Sequence, residues 1–141
     1  MRTPDQAKWD FVEQWLAKAG SDLRVAQLLL DSDLEDFENV GFHAQQAAEK
    51  YIKAVLVRHQ VEFPKTHDIG RLRMLVDSFD SDLAAALAPA DDLTPYGVEF
   101  RYPGDLESVS LEQGQQVCQL AEQTRGLVLQ HLKSYLDAGR P

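Results

Sequence analysis

The chain has little cysteine: of its 141 residues, only Cys118 carries a thiol. A single thiol cannot form an internal disulfide, which fits a reducing compartment, and we expect a cytoplasmic protein. The four histidines stand at positions 43, 59, 67 and 131 without the spacing of zinc ligands, so we expect neither a metal nor a cofactor. Apolar runs approaching the ~20 residues that span a bilayer are also missing, and no membrane association is expected.

The alternation of apolar and polar residues that marks a half-buried strand is missing as well. Apolar residues recur instead every three or four positions, which predicts helices over about 5–31, 38–60, 69–79, 81–90 and 110–137. Thr3 is predicted to cap the first helix, and residues 91–109, rich in proline and glycine, predict an irregular surface segment. We expect one domain, residues 1–141, folded as an all-α, up-and-down bundle of four to five helices.

The net charge of −9 is unevenly distributed along the chain. Residues 42–73 carry six basic and three acidic side chains, so this segment alone is positive, at +3. An acidic protein repels nucleic acid on average, but a small basic island is adequate for contacts with a few phosphates. The alternative is a solvated helix face that binds nothing.

The same segment places an unusual set of polar groups on one strip of the second helix. With 100° per residue, the strip falls within an arc of roughly 80°, and alanines and other apolar residues occupy the adjacent face. We number this second predicted helix, over about 38–60, α2 and call its polar face the α2 strip, which consists of His43, Gln46, Lys50 and Lys53. These donors and cations predict a ligand-binding face, although His43 could equally be a histidine satisfied at the surface. For Glu49 we favour an ordinary ion pair with Lys53, four residues on.

Two further groups of candidates follow the α2 strip along the chain. Thr66 and His67 precede a predicted helix, where free backbone amides favour either a capping side chain or a bound phosphate. Arg101, between aromatic neighbours, is suited to bind a phosphate or carboxylate, or to pin its own loop to the bundle. Tyr96 could stack on a base, and Tyr102 completes this candidate binding group.

Three blocks together carry a family resemblance. They read FHAQQAAEKYIKA over residues 42–54, FPKTHDI over 63–69 and YGVEFRYP over 96–103. In order and spacing these blocks resemble the HEPN family, the helical domain named for nucleotide binding in higher eukaryotes and prokaryotes. The third block resembles the branch of the family with Arg-Tyr-Pro. The resemblance extends over nearly the whole chain.

The resemblance implies a four- or five-helix bundle that is commonly a homodimer. It also implies a prokaryotic gene pair of the toxin–antitoxin kind, in which the partner is a minimal nucleotidyltransferase. Many relatives are metal-independent ribonucleases with an arginine followed after a short spacing by a histidine, but no histidine follows Arg101 within that distance. Arg125 and His131 fit the spacing, yet their side chains would point about 120° apart on a helix.

We therefore expect a protein that binds a nucleotide or RNA, or a nucleotidyltransferase partner, and the missing histidine speaks against an enzyme without deciding the question. One alternative is an RNA-cleaving toxin of the same fold. The other is a dimeric interaction module without catalysis, in which the α2 strip faces solvent or a second subunit.

Overall fold

The computed structural model describes residues 1–97 and 108–141, and these form an all-α bundle. The helices are α1 (Pro4–Asp31), α2 (Phe37–Arg58), α3 (Ile69–Val76), α4 (Ser81–Ala86) and α5 (Leu111–Asp137), with a 3₁₀ segment over Ala88–Gly97 between α4 and α5. The described residues contain no strand. The predicted fold class is confirmed.

Two boundaries differ from the prediction by about one helical turn. The third helix ends at Val76 instead of 79. The fourth ends at Ala86 instead of 90, and a 3₁₀ segment over Ala88–Gly97 follows it. This segment takes the place of the last predicted turn of the fourth helix and of the first part of the segment 91–109 that was predicted to be irregular. Pro89 and Pro95 explain the change at the end of the fourth helix, because proline has no amide hydrogen and its ring collides with the carbonyl group four residues earlier in an α-helix. Apolar periodicity alone does not separate the two kinds of helix.

The second helix lies at the centre of the bundle. More than half of its residues are buried, because α1, α5, α3 and the 3₁₀ segment pack around it. Small side chains at Ala44, Ala47, Ala48 and Ala54 let those neighbours approach closely, and larger ones such as Ile52 and Leu56 complete the core. A helix buried on nearly every side should carry few polar residues, so those on α2 need partners.

Side chains of the chain itself fix where the helices begin. The residue before each α-helix accepts a hydrogen bond from a backbone amide of the first turn, and these residues are Thr3, Asp36, Asp68, Asp80 and Ser110. Capping of this kind contributes about 1 kcal/mol per helix. The predicted cap at Thr3 is confirmed.

The 3₁₀ segment ends against α2 with very close packing. A Cβ atom added to Gly41 would lie 2.4 Å from Cδ1 of Tyr96, and one added to Gly97 would lie 2.6 Å from Cδ of Gln45. Only glycine fits against the rigid ring at Gly41, and at Gly97 a Cβ would have to displace the end of the Gln45 side chain. The segment therefore meets α2 beside the turns that carry Gln45 and Gln46.

Candidate functional site

A buried carboxylate lies at the centre of the candidate site. The side chain of Glu49 is 3% exposed. Its Oε1 accepts hydrogen bonds from Nδ1 of His67 at 2.7 Å and Nε2 of Gln45 at 3.2 Å, and its Oε2 accepts one from Nζ of Lys53 at 2.9 Å. We call these four residues the Glu49 cluster. Positions 45, 49 and 53 are successive turns of α2, which places the carboxylate between an amide and an ammonium group.

Aromatic rings from two other elements cover the ammonium end of this cluster. Nζ of Lys53 lies 5.3 Å from the ring centroid of Trp15, on α1, and 5.6 Å from that of Phe63, in the loop before α3. Lys53 is only 8% exposed. A cation so far from water is stabilised by the carboxylate and by the negative faces of the two rings.

The outer edge of the Glu49 cluster is the imidazole of His67. A carboxylate only accepts hydrogen bonds, so Nδ1 of His67 carries a proton, and in the neutral ring Nε2 holds the lone pair. Gln45 also donates to the main-chain oxygen of His67, at 2.9 Å, which holds the loop on α2. The His67 side chain is 55% exposed, and its Nε2 has no hydrogen-bond partner within residues 1–97 and 108–141.

A second carboxylate organises the other end of the α2 strip. Asp22, on α1, accepts hydrogen bonds from Nδ1 of His43 at 2.9 Å and from Nζ of Lys50. All three side chains are largely buried, and we call them the Asp22 cluster. Its arrangement repeats that of Glu49, His67 and Lys53: one carboxylate holds one imidazole and one ammonium group.

The structure therefore divides the α2 strip between two clusters. His43 and Lys50 face Asp22, Lys53 faces Glu49, and Gln46 lies between them with its Nε2 donating to Oε1 of Gln45 at 2.8 Å. The predicted pair between Glu49 and Lys53 is present, but it is buried and shared with His67. Sequence reasoning missed Asp22, since nothing in the periodicity of α1 distinguishes an acidic residue that faces α2.

The basic island is less positive than its composition indicates. Lys50 and Lys53 are neutralised by their carboxylates, and Arg73 forms a two-point contact with Asp91 at 2.9 and 2.7 Å. Hydrogen bonds from Arg73 to Asp91 raise the pKa of Arg73. Lys65 and Arg71 are exposed, and no ion pair engages them in the described part of the chain. Any phosphate contact from this island falls mainly to those two side chains.

The other predicted site residues have their own partners. Oγ1 of Thr66 accepts a hydrogen bond from the amide of Asp68, the residue that caps α3. Asp68 and Thr94 accept the amides of Arg71 and Ile69 at the start of the helix. The ring of Tyr96 packs on Gly41. Arg101 and Tyr102 lie outside the described residues.

The remaining two histidines pair with each other across the bundle. Nε2 of His59, at the end of α2, lies 2.8 Å from Nε2 of His131 on α5, and Phe79 stacks on His59. Burial, the neighbouring His131 and Arg58 lower the pKa of His59. Burial raises the pKa of Tyr51, and the charge of Arg125 opposes that rise. Arg125 therefore acts on Tyr51 while His131 pairs with His59, although the two residues fit the nuclease spacing.

The described part of the chain contains neither a cluster of metal ligands nor a helix suited to the bilayer. Among residues 1–97 and 108–141, no group of three or more histidine, cysteine or acidic side chains could hold a metal ion. None of the helices there combines the length and hydrophobicity required to span a membrane.

Comparison with known proteins gives two matches. A family model described as the HEPN domain matches residues 12–131. The crystal structure of TT1696 from Thermus thermophilus is similar to this chain with a TM-score of 0.63 and 28% sequence identity, over 84% of this chain and 96% of that one. No curated protein matches.

Proposed function

Because the chain belongs to the HEPN domain family, we propose that it binds a nucleotide or an RNA end on the α2 face between His43 and His67. We further propose that it acts as the helical subunit beside a minimal nucleotidyltransferase, in a prokaryotic pair of the toxin–antitoxin kind. The observation that carries the first proposal is the Glu49 cluster. A buried carboxylate fixes the orientation of an exposed imidazole at the edge of a polar face. Side chains that are merely solvated do not require such a buried partner, whereas binding sites hold their side chains in this way.

The exposed groups around this edge suit a nucleotide in chemistry and in charge. The imidazole of His67 can stack on a base, and the amide of Gln46 offers donor and acceptor groups for a base edge. Lys65 and Arg71 supply the exposed positive charge for phosphates. Lys53 is not offered to the ligand in this proposal; its charge holds Glu49, which in turn holds His67.

We propose binding and not RNA cleavage because the sequence lacks one residue that the family's nucleases have. The six residues after Arg101 contain no histidine, so the arginine–histidine pair of the family's nucleases is missing there. Arg101 remains a proposed phosphate ligand and Tyr102 its neighbour. The proposal gives the protein no catalytic role.

A binding panel tests the nucleotide proposal. We expect calorimetry to detect at least one ligand among ATP, GTP and short RNAs with a terminal phosphate. Lys65→Ala and Arg101→Ala should each weaken the binding of that ligand about tenfold. A tenfold change in Kd corresponds to the loss of one charged phosphate contact that contributes about 1.4 kcal/mol. Lys133→Ala is the matched control, because Lys133 is exposed on α5 and pairs with Asp137. The proposal fails if nothing in the panel binds, or if all three variants bind alike.

A homodimer belongs to the same proposal, and exposed apolar side chains support it. Leu28, Leu34 and Leu111 are 64%, 72% and 48% exposed. They lie toward one end of the bundle, where Gly114 of α5 packs against Leu30 and Phe37. Exposed apolar groups grouped in this way are typical of surfaces that contact a second protein.

Sedimentation tests the dimer. We expect the wild-type chain to sediment at twice its mass of 15.9 kDa. Leu28→Glu with Leu34→Glu should shift it to the monomer, since a charge buried in an apolar contact is costly. Met74→Glu is the control, because Met74 is 58% exposed on α3, away from those leucines. A wild-type monomer would contradict the dimer and would leave the nucleotide proposal standing.

A further inference from the structure

The four histidines of the chain differ in the hydrogen-bond partners of their ring nitrogens. His59 and His131 direct their Nε2 atoms at each other, at 2.8 Å. His43 and His67 both bond a carboxylate through Nδ1. Their exposure separates them, since the side chain is 28% exposed in His43 and 55% exposed in His67. Only His67 combines a carboxylate on Nδ1 with an imidazole that is more than half exposed.

This combination prepares an imidazole to act as a nucleophile. The Glu49 carboxylate keeps a proton on Nδ1, so the lone pair of the neutral ring lies on Nε2, in a side chain that is 55% exposed. A carboxylate on one ring nitrogen also fixes the tautomer and the orientation of the ring. Nucleophilic side chains in proteins are activated by this arrangement, in which a second group orients and polarises the first.

We propose that Nε2 of His67 accepts a phosphoryl group, which makes this residue a modification site. The donor is a phosphorylated small molecule or protein with a good leaving group, such as a phosphoramidate or an acyl phosphate. The Nε2 lone pair forms the new N–P bond, while the bond between phosphorus and the leaving group breaks and its electron pair leaves with that group. No oxidant, reductant or metal enters the balance.

The Glu49 cluster also stabilises the product of this step. Once Nε2 carries phosphorus and Nδ1 keeps its proton, the ring is positively charged, and the carboxylate 2.7 Å away offsets that charge. Lys65 and Arg71 lie on the same short stretch of chain and can neutralise the phosphoryl oxygens. A phosphoryl donor cannot reach His43 in the same way, because the ring of His43 is largely buried.

The phosphoryl group itself would carry almost two negative charges, outweighing the single positive charge of the ring at the proposed binding face. It would repel a nucleotide phosphate from Lys65 and Arg71, so the modification would act as an off-switch for binding. The modification does not depend on nucleotide binding, and unmodified protein can be tested for each separately.

Potassium phosphoramidate is the probe that tests the proposal. The full-length protein is incubated with it at neutral pH, and the intact mass is followed. We expect a gain of one HPO₃ group, about 80 Da, which peptide sequencing places on His67 and which acid removes. His67→Asn should take up none, and its amide still donates to Glu49 in place of Nδ1, so the fold is kept. His43→Asn is the matched control and should react like the wild type.

Three results would overturn the proposal. These are no gain of mass in the wild type, a gain shared equally among the histidines, and a gain that persists in His67→Asn. If the wild type gains the group but no nucleotide binds before or after modification, the modification site stands and the nucleotide proposal falls. The circular dichroism of each variant is compared with that of the wild type, so a misfolded variant is recognised.

Discussion

Replacing Glu49 with glutamine is expected to lower the free energy of unfolding by about 3 kcal/mol, because it leaves a buried cation without its partner. Glutamine has nearly the same size and keeps one oxygen, so the change removes charge and not volume. Lys53, 8% exposed and enclosed by Trp15 and Phe63, cannot regain water without disturbing both rings. Chemical denaturation followed by circular dichroism measures the loss.

Two companion variants show whether the loss comes from burial. Lys133→Ala breaks a salt bridge of the same i,i+4 spacing, with side chains 63% and 64% exposed, and should change stability very little. Combining Glu49→Gln with Lys53→Met removes the unpaired charge and should recover about half of the ~3 kcal/mol. If Glu49→Gln is no more destabilising than Lys133→Ala, the Glu49 cluster is not a buried ionic centre.

The position of Glu49 shows what the sequence could and could not predict. Its spacing to Lys53 predicted the ion pair, and the structure contains it. The burial of the pair was not predictable from spacing. It depends on how α1, α3 and the loop before α3 pack over one side of α2. A signal was present nevertheless: Gln45, Glu49 and Lys53 form one line along a helix that is otherwise apolar on most sides. Polar residues in such a line must satisfy one another.

The contacts of Asp22 and His67 illustrate pairings that are remote in sequence. Asp22 lies 21 residues before His43, and His67 lies 18 residues after Glu49. Periodicity and caps follow from local chemistry, which is why the helices and the bundle were predictable. The partner of a polar side chain is set by how helices pack against each other, and a single sequence does not state that arrangement.

Gly41→Ala is expected to destabilise the protein by about 2 kcal/mol, although alanine usually favours a helix over glycine by about 1 kcal/mol. The added Cβ would lie 2.4 Å from Cδ1 of Tyr96 and 3.1 Å from two further ring atoms. A tyrosine ring is rigid, so the whole 3₁₀ segment must move away from α2 to relieve the contact. Gly97, the next residue, fits as closely against Gln45, and this leaves little room for the movement.

Gly126→Ala provides the matched control on the neighbouring helix. A Cβ added to Gly126 of α5 meets nothing within 4 Å, so the substitution should stabilise the protein by up to about 1 kcal/mol. The two substitutions are thus expected to change the free energy of unfolding in opposite directions, depending on whether the added Cβ has room. Urea denaturation of both variants measures these changes. Equal stabilisation by the two substitutions would show that the 3₁₀ segment does not press on α2. In that case Gln45 and Gln46 would lose the neighbour that closes one side of the proposed nucleotide face.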